Sequence, residues 1–217
     1  MNIAVLGTGD VGATIGSKLV EIGHKVMMGS RTATNQKALE FVARHKGGAS
    51  AGTFADAAAF GEIVFNCTSG VASIEALKSA GADKLAGKIL VDLANPLDFS
   101  RGMPPSLAVV NTSSLAEEIQ ETFPETKVVK ALNTTWCGIM VNPSIINGGD
   151  HTTFVSGNDT GAKAEVKKIL IAFGWMDKNI LDLGDITAAR GMEMYLPLWL
   201  RIYGATNNGA FNMKIVN

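Results

Sequence analysis

The residues best equipped for chemistry stand near the start of the chain. Gly7-Thr8-Gly9-Asp10-Val11-Gly12 has the spacing GxGxxG. It lies between a short apolar run, Ile3 to Leu6, and apolar residues at helical period, Val11, Ile15, Leu19 and Ile22. A strand that turns through such a segment into a helix offers an anion free backbone N–H groups and the positive end of the helix dipole. Gly7 permits the tight turn, Gly9 leaves room for a diphosphate against the backbone, and Gly12 lets helix and strand pack closely. The spacing in this context predicts a dinucleotide site.

The second strand, Lys25 to Met28, runs into Gly29-Ser30-Arg31-Thr32. An acid at that place would hold the free ribose 2′-hydroxyl of NAD and repel a 2′-phosphate. A small hydroxyl followed by a guanidinium suits the phosphate, because arginine presents paired donors. Ser30, Arg31 and Thr32 therefore predict NADP. The alternative is a solvated loop arginine, and Lys37 is another cation that can share the phosphate.

Three further apolar runs end in small polar residues: Asn66-Cys67-Thr68-Ser69-Gly70, Ala94-Asn95-Pro96 and Asn133-Thr134-Thr135-Trp136. Such segments are turn formers. They are also what a cofactor ribose and nicotinamide meet beyond the carboxyl ends of parallel strands.

The elements that must position these residues follow from periodicity. Strands are predicted at 3–6, 25–28, 63–67, 88–93, 127–132 and 152–156, and helices at 35–45, 53–60, 74–79, 115–122 and 159–173. A last long helix is expected over 187–203, kinked at Pro197, with Met192, Leu196, Trp199 and Tyr203 as core, subunit interface or substrate roof. Glu193 and Arg201 flank that stripe as a structural ion pair or as polar contacts, and the alternating tail 210–216 is read as a strand or a cover over the site. Strand–helix alternation predicts an α/β fold with a Rossmann-like doubly wound, mainly parallel sheet and a short C-terminal helical extension. Residues 1–150 would form the NADP-binding domain. Residues 151–217 would complete the sheet and form the substrate pocket or a dimer contact.

Composition narrows the function. Of 217 residues 47% are hydrophobic and 18% charged, so a sizeable core is expected. A formal net charge of -1 provides no basic footprint for nucleic acid and no cationic face for a membrane. The first apolar run is too short for a signal peptide, and a cytoplasmic location is expected. Cys67 and Cys137 read as reduced thiols, and His24, His45 and His151 as surface histidines. Neither a metal motif nor a general acid–base pair stands out, so no catalytic residue and no metal ligand is assigned.

The segments "GTGDVG", "GSRT", "VDLANPLD", "VVKALNTT", "FVSGNDTGAK" and "MEMYLPLWLRIYG" resemble, in order and over nearly the whole chain, the NADPH:coenzyme F420 oxidoreductase family. The cytosolic reductase domain of STEAP-type metalloreductases is similar to that family. The resemblance implies Thr8, Gly9, Asp10 and Val11 at the diphosphate, and Ser30 and Arg31 at the 2′-phosphate. It implies Thr68, Ser69, Ala94 and Asn95 at the ribose and nicotinamide, and Asn133 and Thr134 at the nicotinamide and second substrate. The archaeal deazaflavin enzymes carry histidine at the place of Asn133, and the STEAP-like domains asparagine.

The expected activity is hydride transfer between NADP(H) and coenzyme F420 or a flavin such as FMN or FAD, in a homodimer acting on a small redox molecule. Such transfer asks the protein mainly to align two rings and exclude water. A small imine or hydroxyacid reductase and an NADP-sensing protein without turnover are the alternatives.

Overall fold

In β1 (Asn2–Leu6), Ile3 and Val5 enter one apolar layer and Ala4 and Leu6 the other. A strand buried on both faces must be covered on both, and this alternation organises the molecule. The computed structural model describes residues 1–216. After β1 come α1 (Asp10–Glu21), β2 (Lys25–Ser30), α2 (Gln36–Arg44), β3 (Ala49–Thr53), α3 (Phe54–Phe60), β4 (Ile63–Asn66), α4 (Gly70–Ala80), α5 (Ala82–Leu85) and β5 (Ile89–Asp92). A two-stranded hairpin, β6 (Leu97–Asp98) and β7 (Ser106–Leu107), precedes α6 (Leu115–Thr122) and β8 (Lys127–Ala131). The chain continues through α7 (Cys137–Val141), β9 (Thr153–Ser156), α8 (Thr160–Ala172), β10 (Ile180–Asp182), α9 (Ala189–Met194) and α10 (Leu196–Thr206).

Eight strands form one sheet in the order β10-β9-β8-β5-β4-β1-β2-β3. The six from β8 to β3 are mutually parallel, so this is a Rossmann-like doubly wound α/β sheet. Strand order reverses between β1 and β4, which puts the switch point beside the glycine turn. One layer holds Ile15 and Leu19 of α1, Phe41 of α2, Ile139 of α7 and Val166 and Leu170 of α8. The other holds Ala57 of α3, Leu77 of α4, Ile119 of α6 and Ala189 of α9.

β9 runs antiparallel to β8, and β10 follows β9. A parallel sixth strand would need a crossover of a dozen or more residues, usually a helix. The five residues of α7 and the short helical turns at 143–145 and 147–149 provide no such helix. The expected helix over 187–203 is two helices that meet at Tyr195. Pro197 lacks the N–H that would bond Glu193 in an unbroken helix, so the chain bends there. The tail 210–216 makes no strand. Its Met213 carbonyl accepts from the Thr152 N–H at 2.9 Å, which ties the tail to the start of β9.

Two other expectations give way. His151 is buried, edge-on to Trp175, and its ring nitrogens contact the Pro143 carbonyl at 2.9 Å and the Asn212 amide at 2.8 Å. Glu193 pairs with Lys130 rather than Arg201, which is exposed. No helix of the described residues is long and apolar enough to cross a membrane.

Phe65 lies at the centre of the sheet and is fully buried. Phe65→Ala is expected to lower unfolding free energy by about 3–5 kcal/mol. Urea denaturation checks this, and a loss below about 1 kcal/mol would contradict the packing described.

Candidate functional site

At the glycine turn the three glycines have different reasons. Gly7 has φ 113°, and a Cβ there would come within 2.5 Å of the Cys67 carbonyl oxygen. A Cβ on Gly12 would lie 2.0 Å from the Gly7 carbonyl oxygen. These two positions are demanded by the fold itself. A Cβ on Gly9 would meet nothing within 4 Å, so the space above it is open. Gly9 also occupies the N-cap of α1 without any side-chain cap. The first amides of the helix therefore face outward without a side-chain partner, which fits a diphosphate.

At the end of β2, Ser30 is buried and its hydroxyl donates to the Thr32 carbonyl at 2.7 Å. Arg31 and Thr32 are exposed, and Arg31 makes no ion pair among the described residues. The hydroxyl of Ser30 thus braces the loop, and the guanidinium of Arg31 is the free group on it.

The carboxyl ends of β4, β5 and β8 carry the densest polar chemistry. Asn66 is paired with Asp92 in register, and Asp92 with Lys130. Strand alternation sends all three to the face covered by α3, α4 and α6. Lys130 is 0% exposed, with its ammonium 2.8 Å from Asp92 and 2.8 Å from Glu193 of α9, and it also donates to the Ala94 carbonyl. Asn66 donates to Asp92 at 2.7 Å and to Ser73 at 3.1 Å, and accepts from Thr68 at 2.7 Å. The second oxygen of Glu193 accepts from the Leu115 N–H at 2.8 Å, so Glu193 caps α6 from another element.

Burial alone would push the Lys130 ammonium down in pKa, but Asp92 and Glu193 outweigh it and hold it above the ordinary lysine range. Burial pushes the Glu193 carboxyl above the ordinary glutamate range, and Lys130 opposes that rise. Part of the surface of Cys67 faces the cleft, yet its thiol sits deep, and burial, reinforced by Asp92, pushes it far above the ordinary thiol range. It is no nucleophile at neutral pH.

The predicted strand-end residues come together. A Cβ on Gly70 would lie 2.0 Å from the Asn95 carbonyl oxygen, so the turns after β4 and β5 touch. Val11, Thr68, Ser69, Ala94, Asn95 and Phe99 line a cleft of ≈ 190 Å³ beside the glycine turn. Asn95 donates to the Asn133 carbonyl at 2.9 Å, and Asn133 donates back to the Asn95 side chain at 2.9 Å and to the Met192 carbonyl at 3.0 Å. Asn133 is buried, and its Oδ1 has no partner among the described residues. Leu132 is held at φ 63°, a strained conformation for a leucine, at the turn that delivers Asn133.

Beyond Asn133 a second cavity of ≈ 360 Å³ opens between Thr134, Phe154, Leu183, Met192, Met194, Tyr195 and Met213. Ser30, Arg31 and Thr32 stand apart from both cavities, at the other side of the glycine turn. Trp136 is 45% exposed and lines neither cavity. Sequence reasoning missed Asp92, Lys130 and the role of Glu193. The available signal was a lone polar residue at or near the end of each apolar strand, in "IVFN", "ILVD" and "VVKA".

A glutamate whose folded pKa is raised binds more protons folded than unfolded. Its contribution is therefore fully present below the ordinary glutamate range and is lost as pH rises through the raised value. Lys130→Met leaves two buried carboxylates without their cation. It is expected to cost about 3–5 kcal/mol near neutral pH and less at mildly acid pH, where Glu193 takes up a proton. Urea unfolding at the two pH values checks this, and a penalty independent of pH would contradict it.

Comparison with known proteins places this geometry in a family. The pattern defining the family described as "NADP oxidoreductase coenzyme F420-dependent" matches residues 2–96. A crystal structure from Arthrobacter sp. FB24, provisionally assigned as an F420-dependent NADP-reductase, is 52% identical and superposes with a TM-score of 0.95 over 100% of both chains. The F420-dependent NADP reductase of Methanocaldococcus jannaschii is 27% identical, covering 100% of this chain and 99% of that protein. Metalloreductase STEAP3 of Rattus norvegicus is 30% identical over 207 residues, covering 91% of this chain, which spans only 37% of that longer protein.

Proposed function

The chain belongs to the family of coenzyme F420-dependent NADP oxidoreductases, and from that premise we propose that it passes hydride between NADP(H) and a deazaflavin or flavin ring. The observation that carries the reading is a conjunction at one sheet edge. An open Gly9 turn at an uncapped helix adjoins the Thr68–Asn95 cleft, and the neighbouring strand runs out into Arg31 with no acid.

Gly7, Thr8, Gly9, Asp10, Val11 and Gly12 would hold the diphosphate through backbone amides. Arg31, on a loop braced by Ser30 and Thr32, would take the 2′-phosphate. Thr68, Ser69, Ala94 and Asn95 would line the ribose and nicotinamide, and Asn133, bonded to Asn95, would stand behind them. NADPH supplies the hydride when bound. The protein's part is to fix this edge, keep water from it and present Thr134 and the wall of α9 to the second ring. Residues 151–216 would complete the sheet and form that wall. Leu198, 57% exposed, and the half-buried Ile202 one turn on would offer an apolar face of α10 for a homodimer.

A charge-assisted contact to phosphate contributes about 1.5–3 kcal/mol net, roughly ten- to a hundred-fold in affinity. Arg31→Ala is therefore expected to weaken NADP(H) by that factor and leave NAD(H) nearly unchanged. Calorimetric titration of both cofactors decides it. Equal wild-type affinities, or equal losses in the variant, would sink the NADP assignment. NADPH oxidation should be followed with coenzyme F420, FMN, FAD and an imine. Turnover of the imine alone would move the protein to the imine reductases, and binding without oxidation by any acceptor would make it an NADP sensor.

A further inference from the structure

The contacts that hold the C-terminal tail also fix the protonation state of one buried histidine. His151, 3% exposed, sits between Pro143, the Trp175 ring and Asn212 of the tail. Its Nε2 lies 2.9 Å from the Pro143 carbonyl. A carbonyl can only accept, so Nε2 carries a hydrogen. Its Nδ1 lies 2.8 Å from Nδ2 of Asn212. The same Nδ2 lies 2.9 Å from the Thr152 carbonyl, which again can only accept. The amide therefore gives one hydrogen to each neighbour, and Nδ1 of His151 must be the acceptor. Turning the amide over would set its Oδ1, unpartnered among the described residues, against the Thr152 carbonyl. The ring is the neutral Nε2–H tautomer.

A second proton has no place in this arrangement. It would sit on Nδ1 and point at the NH2 group of Asn212, donor against donor. The buried imidazolium would keep a single acceptor, the Pro143 carbonyl, in exchange for its hydration. No charged side chain bonds the ring among the described residues. Asp150, next in the chain, pairs with Lys214 of the tail. That bond, with Lys178 adding to it, holds the Asp150 carboxyl below the ordinary aspartate range. The ion pair thus stays intact where histidines change charge, between about pH 5 and pH 8. The tail's other bonds converge on Thr152, whose N–H donates to the Met213 carbonyl at 2.9 Å and whose Oγ1 accepts from the Ile215 N–H at 3.0 Å.

We propose that His151 is a pH-sensitive latch: neutral, it holds Asn212 and with it the C-terminal tail against the start of β9, and protonated, it lets the tail go. The latched form excludes the second proton, and the released form, open to water, takes it. Falling pH therefore favours release. Met213 belongs to the wall of the second cavity, so release opens that side of the cavity to solvent. The inference concerns the tail alone and stands whether or not hydride transfer is the protein's reaction.

The test uses the full chain. Side-chain ¹H–¹⁵N NMR at pH 8 is expected to show His151 as the Nε2–H tautomer, its signal assigned by loss in His151→Gln. Protection of the Ile215 amide, corrected for the intrinsic effect of pH on exchange, is expected to fall about tenfold or more from pH 8 to pH 5. Protection of Val64 in the core should not follow it. His151→Gln should abolish the dependence on pH. Asn212→Asp replaces the donor by an acceptor and should hold the tail at least as firmly at pH 5 as at pH 8, a reversal that lost packing does not produce. An Nδ1–H tautomer at pH 8, or Ile215 protection that is level or falls only in step with Val64, would overturn the inference. An equal fall in His151→Gln would overturn it too, by assigning the change to another group such as Glu193.

Discussion

One buried cation holds the carboxyl edge of this sheet together. Lys130 lies between Asp92 of the neighbouring strand and Glu193 of α9, with no exposed surface on its side chain. Removing such charges from water is expensive, and only close pairing with further hydrogen bonds offsets it. Those bonds are present. Asp92 accepts from Asn66 and from the Ala94 N–H, and Glu193 accepts from the first amides of α6. The network therefore fixes three strand ends, one helix start and the helix that walls the second cavity.

The two cavities depend on this arrangement in different ways. The nucleotide cleft is made of turns that touch each other, where Gly70 meets Asn95 and Gly7 meets Cys67. The second cavity is made of side chains on α9 and the tail, held to the sheet by Glu193, by the Asn133–Met192 bond and by the tail's bonds to Thr152. The rigid cleft suits a cofactor that must be presented in one orientation. A methionine-rich wall would adapt to variation in a guest.

Much of this was legible from residue order. The expected strands 3–6, 63–67 and 127–132 are short, largely apolar and bounded by turn formers, and β1, β4 and β8 stand there with shifts of a residue at their ends. β3, "ASAGT", carries almost no apolar signal, because it pairs on one side only at the sheet edge. β10 has a single buried residue, Ile180, and was equally silent. The direction of β9 depended on how far α7 carries the chain, a tertiary fact without a local signature. At the site, glycine spacing and the missing acid were visible, since each reflects a local steric or electrostatic demand. The Asp92–Lys130–Glu193 group was not, because its members are far apart in the chain and meet only through strand register and the packing of α9. His151 was misjudged for the same reason: Trp175 and Asn212, which bury and bond it, are distant in the chain.

The central claim is that the nucleotide lies along the carboxyl edge, from the glycine turn to the ends of β4 and β5. Amide hydrogen exchange with and without NADPH tests it most directly. The account predicts slowed exchange in Thr8–Ala13, Cys67–Gly70 and Ala94–Asn95, with weaker slowing by NADH at the same concentration. Unchanged exchange in those segments, or equal slowing by the two cofactors, would contradict it.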